Sequence, residues 1–319
     1  MTTPVDTLTV ALAQLTPVWL DRERTIAKSV RAIDDAAAQG ASLIAFSEGF
    51  APGYPFWTER THATAWDSAV QKELFAHYLA EAVQIESGHL QPIQDAATRG
   101  SIAVYFGCIE RPADRGGHSV YASLVYIDQT GAIGSVHRKL MPTYDERLVW
   151  SPGDGHGLRV HTLGAFTAGG LNCWENWMPM ARAALYGMGE DLHVANWPGS
   201  DRNTRDITRF IARESRSYVL SASSVMTTDD IPASVPHRDA IIAGGPRVMA
   251  NGGSCIASPD GTWLVEPVVG EERVIVATID HQRVREERQN FDPSGHYSRP
   301  DVLQLSVNRR RQMTIDVKD

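Results

Sequence analysis

The residue in this chain best suited to chemistry is a cysteine at the end of an apolar run. In Gly169-Gly170-Leu171-Asn172-Cys173-Trp174-Glu175-Asn176-Trp177-Met178-Pro179, a strand-like approach ends on Cys173. A polar corner follows, then Pro179 ahead of Met180-Ala181-Arg182-Ala183-Ala184-Leu185-Tyr186. Proline fits the first turn of a helix, where its missing N–H breaks no bond. The pattern predicts Cys173 on a tight strand-to-helix turn near the positive end of that helix. Such a turn projects the thiol out of a sheet, and the helix terminus favours thiolate. Cysteine is also among the most buried residue types and is usually inert, so its neighbours must decide. Cys108 and Cys255 sit inside apolar strand-like runs and read as packing.

Two ways of activating such a thiol are open. One is a histidine base with an orienting side chain; the chain has 11 histidines, none in a compelling local motif. The other uses a carboxylate to take the thiol proton, with a lysine favouring both thiolate and any anion on the substrate. Glu48 and Lys139 suit that scheme, because both, like Cys173, fall just after predicted strands and would share a rim. The N–H of Trp174 adds an oxyanion donor. Residue types alone do not select these three from the acids and bases available. Neither GxSxG nor HExxH occurs, and the GxGxG at Gly153–Gly157 has no strand feeding it and no helix after it.

The elements that must hold these residues alternate. Residues 8–15 read as a buried strand, 21–39 as a helix with Ile26, Val30, Ile33 and Ala37 on one stripe, and 41–46 as a second strand delivering Glu48. That order is a crossover with parallel pairing. Residues 67–85 and 90–98 read as helices, and 102–109, 120–127 and 133–137 as strands. The run from His137 to Trp150 mixes charged and apolar residues in neither period. A solvated loop would be its ordinary reading, but Leu140, Met141, Leu148, Val149 and Trp150 favour burial and would draw Lys139 and Glu146 inward. Strands are expected at 158–163, 168–172, 191–197 and 218–224, a helix at 206–217 and a long loop at 226–251. Strands at 254–258, 263–266 and 274–279 and a polar helix at 281–289 follow, with Asp260-Gly261 as a hairpin turn.

The chain has 319 residues, 43% of them hydrophobic, which suffices for one large core. Its net charge of −8 offers no basic face for nucleic acid. Three widely spaced cysteines argue against a disulfide framework or a zinc site and for a reducing, cytoplasmic compartment. The N-terminus lacks a basic leader region, and no apolar run is long enough to span a membrane. The reading is one α/β domain, residues 1–285, and a C-terminal tail, residues 286–319.

Glu48 in Phe-Ser-Glu-Gly, Lys139 in His-Arg-Lys-Leu-Met-Pro-Thr and Cys173 in Leu-Asn-Cys-Trp-Glu-Asn-Trp-Met-Pro resemble the Glu-Lys-Cys triad of the carbon–nitrogen hydrolase (nitrilase) superfamily. The resemblance covers nearly the whole chain, including Asp191-Leu192-His193-Val194-Ala195 and Gly295-His296-Tyr297-Ser298-Arg299-Pro300-Asp301. Cys-Trp-Glu-Asn and the segment Glu146-Arg147-Leu148-Val149-Trp150 are similar to the true nitrilase branch; the Tyr-Asp that usually follows the cysteine in amidase branches is absent. The resemblance implies a four-layer α-β-β-α sandwich and hydrolysis of an organic nitrile to acid and ammonia through a thioimidate and a thioester. It implies no cofactor and no metal, and a homodimer that assembles into larger oligomers or spirals with the tail taking part. Glu146 resembles the family's second active-site glutamate, which positions the lysine. Tyr54, Trp57, Trp174, Trp177, Asn196 and Trp197 are the substrate-binding candidates, although the aromatic ones serve equally as core packing. Glu175 either orients the turn or is an ordinary acid favoured at a helix start. An amidase using the same triad and a catalytically silent assembly protein of this fold are the alternatives.

Overall fold

Strands buried on both faces are largely apolar, and the first two follow that rule across Val10–Ala13 and Leu43–Phe46. In β1 (Thr7–Gln14), Leu8, Val10 and Leu12 face one core while Ala11 and Ala13 face another. In β2 (Leu43–Phe46), Leu43 and Ala45 join the first core, and Ile44 and Phe46 the second. Between them runs α1 (Arg22–Ala38), whose start is capped by Asp21 accepting from the Arg24 N–H at 2.9 Å. Its Ile26 and Ile33 are buried, with Val30 and Ala37 packed partly buried against the same cluster. Burying one such aliphatic side chain is worth about 1.5–3 kcal/mol.

The computed structural model describes residues 6–315. Residues 1–5, where the leader reading begins, and 316–319, the end of the tail, lie outside the described residues. The remaining strands are β3 (Ala103–Glu110), β4 (Tyr121–Ile127), β5 (Ile133–Arg138), β6 (His161–Leu163), β7 (Phe166–Asn172), β8 (Leu192–Asn196), β9 (Tyr218–Ala222), β10 (Val225–Thr227), β11 (Val248–Ala257), β12 (Trp263–Val269) and β13 (Arg273–Asp280). The helices after α1 are α2 (Trp57–Arg60), α3 (Ala69–Glu81), α4 (Gln91–Gly100), α5 (Pro179–Tyr186), α6 (Asp201–Ser215), α7 (Arg238–Ala243) and α8 (His281–Arg288).

Two sheets form. The first runs β13-β1-β2-β3-β4-β5, and the second β10-β11-β9-β8-β7-β6 with β12 on β11. Each has a parallel centre, β1-β2-β3 in one and β7-β8-β9 in the other. Their facing sides share one core that includes Val10, Tyr105, Val194 and Leu220. The outer face of the first sheet packs on α1 and α4, and that of the second on α5 and α6. These are the four layers of an α-β-β-α sandwich, as the sequence leads one to expect.

The two sheets are tied together where Glu48 leaves β2. A Cβ on Gly107 would lie 1.9 Å from the Ser47 carbonyl oxygen, so only glycine fits there. The Glu48 N–H donates to the Trp197 carbonyl at 3.2 Å, tying the end of β2 to the end of β8 in the opposite sheet.

Two expectations need correcting. Residues 226–251 are not a structureless loop: they hold most of β10, all of α7 and the start of β11. Arg60, buried beneath α7, donates to the carbonyls of Ile241 (3.1 Å) and Pro246 (2.6 Å) and fastens this segment. Helix α6 starts at Asp201 rather than 206, because Ser200 takes the extended N-cap conformation. The last helix, α8, ends at Arg288. Beyond it the tail returns to the body through Arg311, which contacts Asp154 at 3.0 Å and the Val136 carbonyl at 3.2 Å.

Candidate active site

Cys173, Glu48 and Lys139 are delivered by three different strands. Glu48 follows β2 and Lys139 follows β5 in the first sheet; Cys173 follows β7 in the second. All three are 1–2% exposed. One atom each of Glu48, Glu146 and Cys173 lie within 4.8 Å of one another. The Lys139 ammonium stands 2.8 Å from Glu48 Oε1 and 2.7 Å from Glu146 Oε2. Such a set of one thiol and two carboxylates offers ligands to a metal ion, but the positive charge among them is already Lys139.

Glu146 lies on a single 3-10 turn, Tyr144–Leu148. Both of its oxygens are engaged. Oε2 accepts from Lys139 and from the Thr143 N–H at 2.5 Å, closing a capping box, while Oε1 accepts from the Tyr54 hydroxyl at 2.8 Å. Glu48 differs. Its Oε1 is paired with the Lys139 ammonium at 2.8 Å, and its Oε2 has no hydrogen-bond donor among the described residues. Glu48 therefore retains a lone pair to accept a proton, while Glu146 is committed to holding the lysine.

Burial pushes the Glu48 carboxyl up to about 8 against the pull of Lys139, with Glu146 and Glu175 adding to the rise. Burial pulls the Lys139 ammonium down, but Cys173, Glu48 and Glu146 outweigh it and hold it above its usual range. Burial also pushes the Cys173 thiol up; the Glu48 charge adds to this, and Lys139 and the Trp174 N–H oppose it. The expectation that a helix terminus lowers this thiol is thus corrected. Cys173 opens a 3-10 turn, Cys173–Trp177, and α5 starts only at Pro179. A dry site beside an anion outweighs one turn of aligned amides. The backbone of Cys173 is left-handed, with φ +50°, a conformation non-glycine residues seldom adopt.

Glu175 is not an ordinary helix acid. It is 1% exposed, and its carboxylate accepts from the Asn172 N–H (2.9 Å) and the Leu140 N–H (2.5 Å) and contacts His137 Nε2 at 3.0 Å. It therefore clamps the residue before Cys173 to the residue after Lys139. Burial works against its charge, but His137 and these N–H groups hold the carboxyl below its usual range. The only sequence signal was Asn172-x-x-Glu175, a capping-box spacing.

The substrate-binding candidates separate. Tyr54 is beside the triad through its bond to Glu146. Trp57 is 1% exposed, packed edge-on to Tyr78 at 4.6 Å, and lines a cavity of about 220 Å³ with Ala63, Phe75, Leu148 and Val149. Trp197 is fully buried in a cluster that holds Cys173 together with Ile207 and Ile211 of α6, and it donates to Ser221 at 3.3 Å. Asn196 is buried, and neither of its amide atoms has a partner among the described residues. Trp174 and Trp177 are 47% and 41% exposed, with their rings 6.1 Å apart. They lie on the open face of the turn and do not form an enclosed wall. Between Lys139 and Trp150, burial is selective: Trp150 is buried under the lysine at 5.3 Å, whereas Met141 and Leu148 stay exposed. The ion pairs hold Lys139 and Glu146 inside without help from those two apolar neighbours.

A sandwich with a buried thiol, lysine and two carboxylates where its sheets meet defines a hydrolase class, and the chain belongs to the carbon-nitrogen hydrolase family, which matches residues 9–289. Within that family it falls on the nitrilase branch. It is 34% identical to an aliphatic nitrilase of Rhodococcus rhodochrous, over 98% of this chain and 85% of that protein. It is 33% identical to an arylacetonitrilase of Aspergillus kawachii, over 93% and 91%. Among solved structures, the carbon-nitrogen hydrolase from Helicobacter pylori G27 superposes with a TM-score of 0.70 at 18% identity, over 92% of this chain and 96% of that one.

Proposed function

We propose that the protein hydrolyses an organic nitrile to the carboxylic acid and ammonia, with Cys173 as nucleophile, Glu48 as general base and acid, and Lys139 as the cation that stabilises the intermediates. The observation that carries this is the difference between the two glutamates: both oxygens of Glu146 accept hydrogen bonds, whereas Oε2 of Glu48 has no donor among the described residues and can exchange a proton.

Glu48 takes the thiol proton as sulfur attacks the nitrile carbon, and passes it to the nitrogen, giving a thioimidate. Water adds as Glu48 takes one of its protons and passes it to the nitrogen, giving a tetrahedral centre that carries a hydroxyl and an amine. Glu48 then moves the hydroxyl proton to the amine, and ammonia leaves as the carbonyl of a thioester forms. A second water releases the acid and restores the thiol. Charge builds on the tetrahedral centre beside Lys139, where a buried ammonium acts with little competition from water. A base with a pKa near 8 is suited to proton transfer in both directions near neutral pH. Tyr54 and Glu146 hold the lysine in place, and Glu175 holds the two strand ends in register.

The half-exposed Trp174 and Trp177, with exposed Met178, Met180 and Phe210, support pairing of two copies through this face. No helix among the described residues is long and apolar enough to cross a membrane, and three unpaired thiols support a cytoplasmic setting.

The test is turnover of aliphatic, aromatic and arylacetonitrile panels and matching amides, quantifying ammonia and acid, with Cys173→Ala as control. Acid from nitriles, abolished in the variant, is the expected result. Turnover of amides alone, or turnover surviving in Cys173→Ala, overturns the reading.

A further inference from the structure

A second buried polar chain reaches the backbone around Cys173 through side chains other than Glu48, Glu146 and Lys139. Asn176 is completely buried, and its amide nitrogen donates to the carbonyl oxygens of Cys173 (2.8 Å) and Leu171 (3.1 Å). Its Oδ1 contacts His193 Nε2 at 2.7 Å, and His193 Nδ1 contacts Glu190 Oε1 at 2.9 Å. His193 and Glu190 are also completely buried. The chain thus runs from a carboxyl group on the loop before β8, through a histidine on β8, to the two peptide carbonyls that flank the left-handed turn of Cys173.

The hydrogens in this chain are fixed by its ends. Both Asn176 amide hydrogens go to peptide carbonyls, so Oδ1 can only accept, and Nε2 must carry a hydrogen. The Nδ1–Oε1 contact needs a hydrogen of its own. His193 therefore donates forward to Asn176 whether that second proton belongs formally to the imidazole or to Glu190. In either form the pair has no net charge, which suits a site without water. The backbone accommodates the arrangement. Gly169 of β7 is the register partner of His193, and a Cβ there would lie 2.3 Å from Glu190 Oε1. Any other residue at 169 would displace the carboxyl group from the histidine.

We infer that Asn176, His193 and Glu190 are positioning residues that hold Cys173 in its left-handed conformation, with the sulfur aimed at Glu48 and Lys139. The inference rests on Cys173 being the nucleophile. Left-handed backbone at a non-glycine residue costs on the order of 1–3 kcal/mol and persists only where its surroundings enforce it. Here the enforcing contacts are the two carbonyl bonds of one amide, and that amide is oriented by His193.

The test compares His193→Phe, which removes the donor, with His193→Gln, whose amide can still donate to Asn176 Oδ1. Three readouts are kcat and KM with a nitrile, melting temperature, and the rate of Cys173 alkylation by iodoacetamide read by peptide mass spectrometry. His193→Phe is expected to lower kcat about 100-fold, the scale of a misplacement near 1 Å, with KM changed less than threefold and the alkylation rate shifted in parallel. His193→Gln is expected to recover to within about tenfold of wild type. If His193→Phe does not fold, Glu190→Leu against Glu190→Gln makes the same comparison, since the amide introduced by the second of these can donate to Nδ1. Equal effects of the donor-keeping and donor-removing variants, or a loss that follows melting temperature alone with unchanged alkylation, overturn the inference. An active Cys173→Ala enzyme would instead refute the nucleophile on which it rests, and the alkylation measurement depends on no substrate.

Discussion

Replacing Glu48 with glutamine removes a buried charge and leaves the shape of the side chain almost unchanged. In the folded chain burial pushes this carboxyl up to about 8; in the unfolded chain it titrates near 4.3. Between those values the folded state holds a proton that the unfolded state has released. Folding stability contributed at this site is therefore fully present below about pH 4.3 and is lost as pH rises through about 8. The slope is about 1.4 kcal/mol per pH unit, giving a loss of roughly 3–4 kcal/mol by pH 7 and about 5 kcal/mol by pH 8. The amide of Glu48→Gln has no proton to lose, so the variant lacks this slope. For a chain of this size, 1 kcal/mol moves the melting temperature by about 2 °C. Melting curves of both proteins at pH 5, 6, 7 and 8 should therefore diverge, with the variant gaining roughly 8 °C on wild type over that range. Nitrile turnover in the same variant should fall about 10³-fold, the scale of a lost general base. Melting temperatures that run parallel from pH 5 to 8 would refute the reasoning, because Glu48 would then ionise in the fold as it does in water.

Two further outcomes follow from the neighbouring carboxylates. Glu175→Gln turns one carboxylate oxygen into an amide that faces a peptide N–H, either that of Leu140 or that of Asn172. Urea denaturation should show a loss of about 2–4 kcal/mol at pH 7. Wild type should lose this advantage as pH falls below about 4.3, because the folded Glu175 carboxyl lies below its usual range; an undiminished gap in acid would count against the clamp. Glu146→Gln removes an anion that raises Glu48, so the acid limb of kcat/KM should move to lower pH while the maximal rate falls. An unmoved limb would mean that Glu146 does not act on the base.

The strand-end positions of Glu48, Lys139 and Cys173 are legible from local pattern, but only the motifs shared with the carbon–nitrogen hydrolases single these three out. Glu48 follows a continuous apolar strand, Lys139 interrupts a charged run that fits neither period, and Cys173 ends an apolar approach just ahead of a proline. The alternation of buried strands and helices was legible from unbroken apolar runs separated by amphipathic helices, whereas the four-layer arrangement followed only from the family resemblance. The parts that could not be read depend on partners far away in the chain. Glu175 resembles a helix-start acid until the Leu140 N–H is brought to it, and His193 lies in an ordinary apolar strand until Asn176 arrives from across the turn. Aromatic residues gave little guidance: Trp57, Trp174 and Trp197 look alike in sequence, but one lines a cavity, one is half-exposed and one is buried in the cluster that holds Cys173. Residues 226–251 hid α7 because its six residues form too short a run for a helical period to show, and the helix is anchored by the distant Arg60.

Glu48 and Lys139 follow strands of one sheet, and Cys173 follows a strand of the other. A nascent or partly unfolded chain in which the sheets have not docked carries a thiol with neither Glu48 nor Lys139 beside it. The three side chains are thus brought together only when the layers dock, and they separate again whenever the layers part. Turnover per molecule in a preparation of this protein accordingly counts correctly docked sandwiches, whereas a far-ultraviolet spectrum would score either sheet alone as folded.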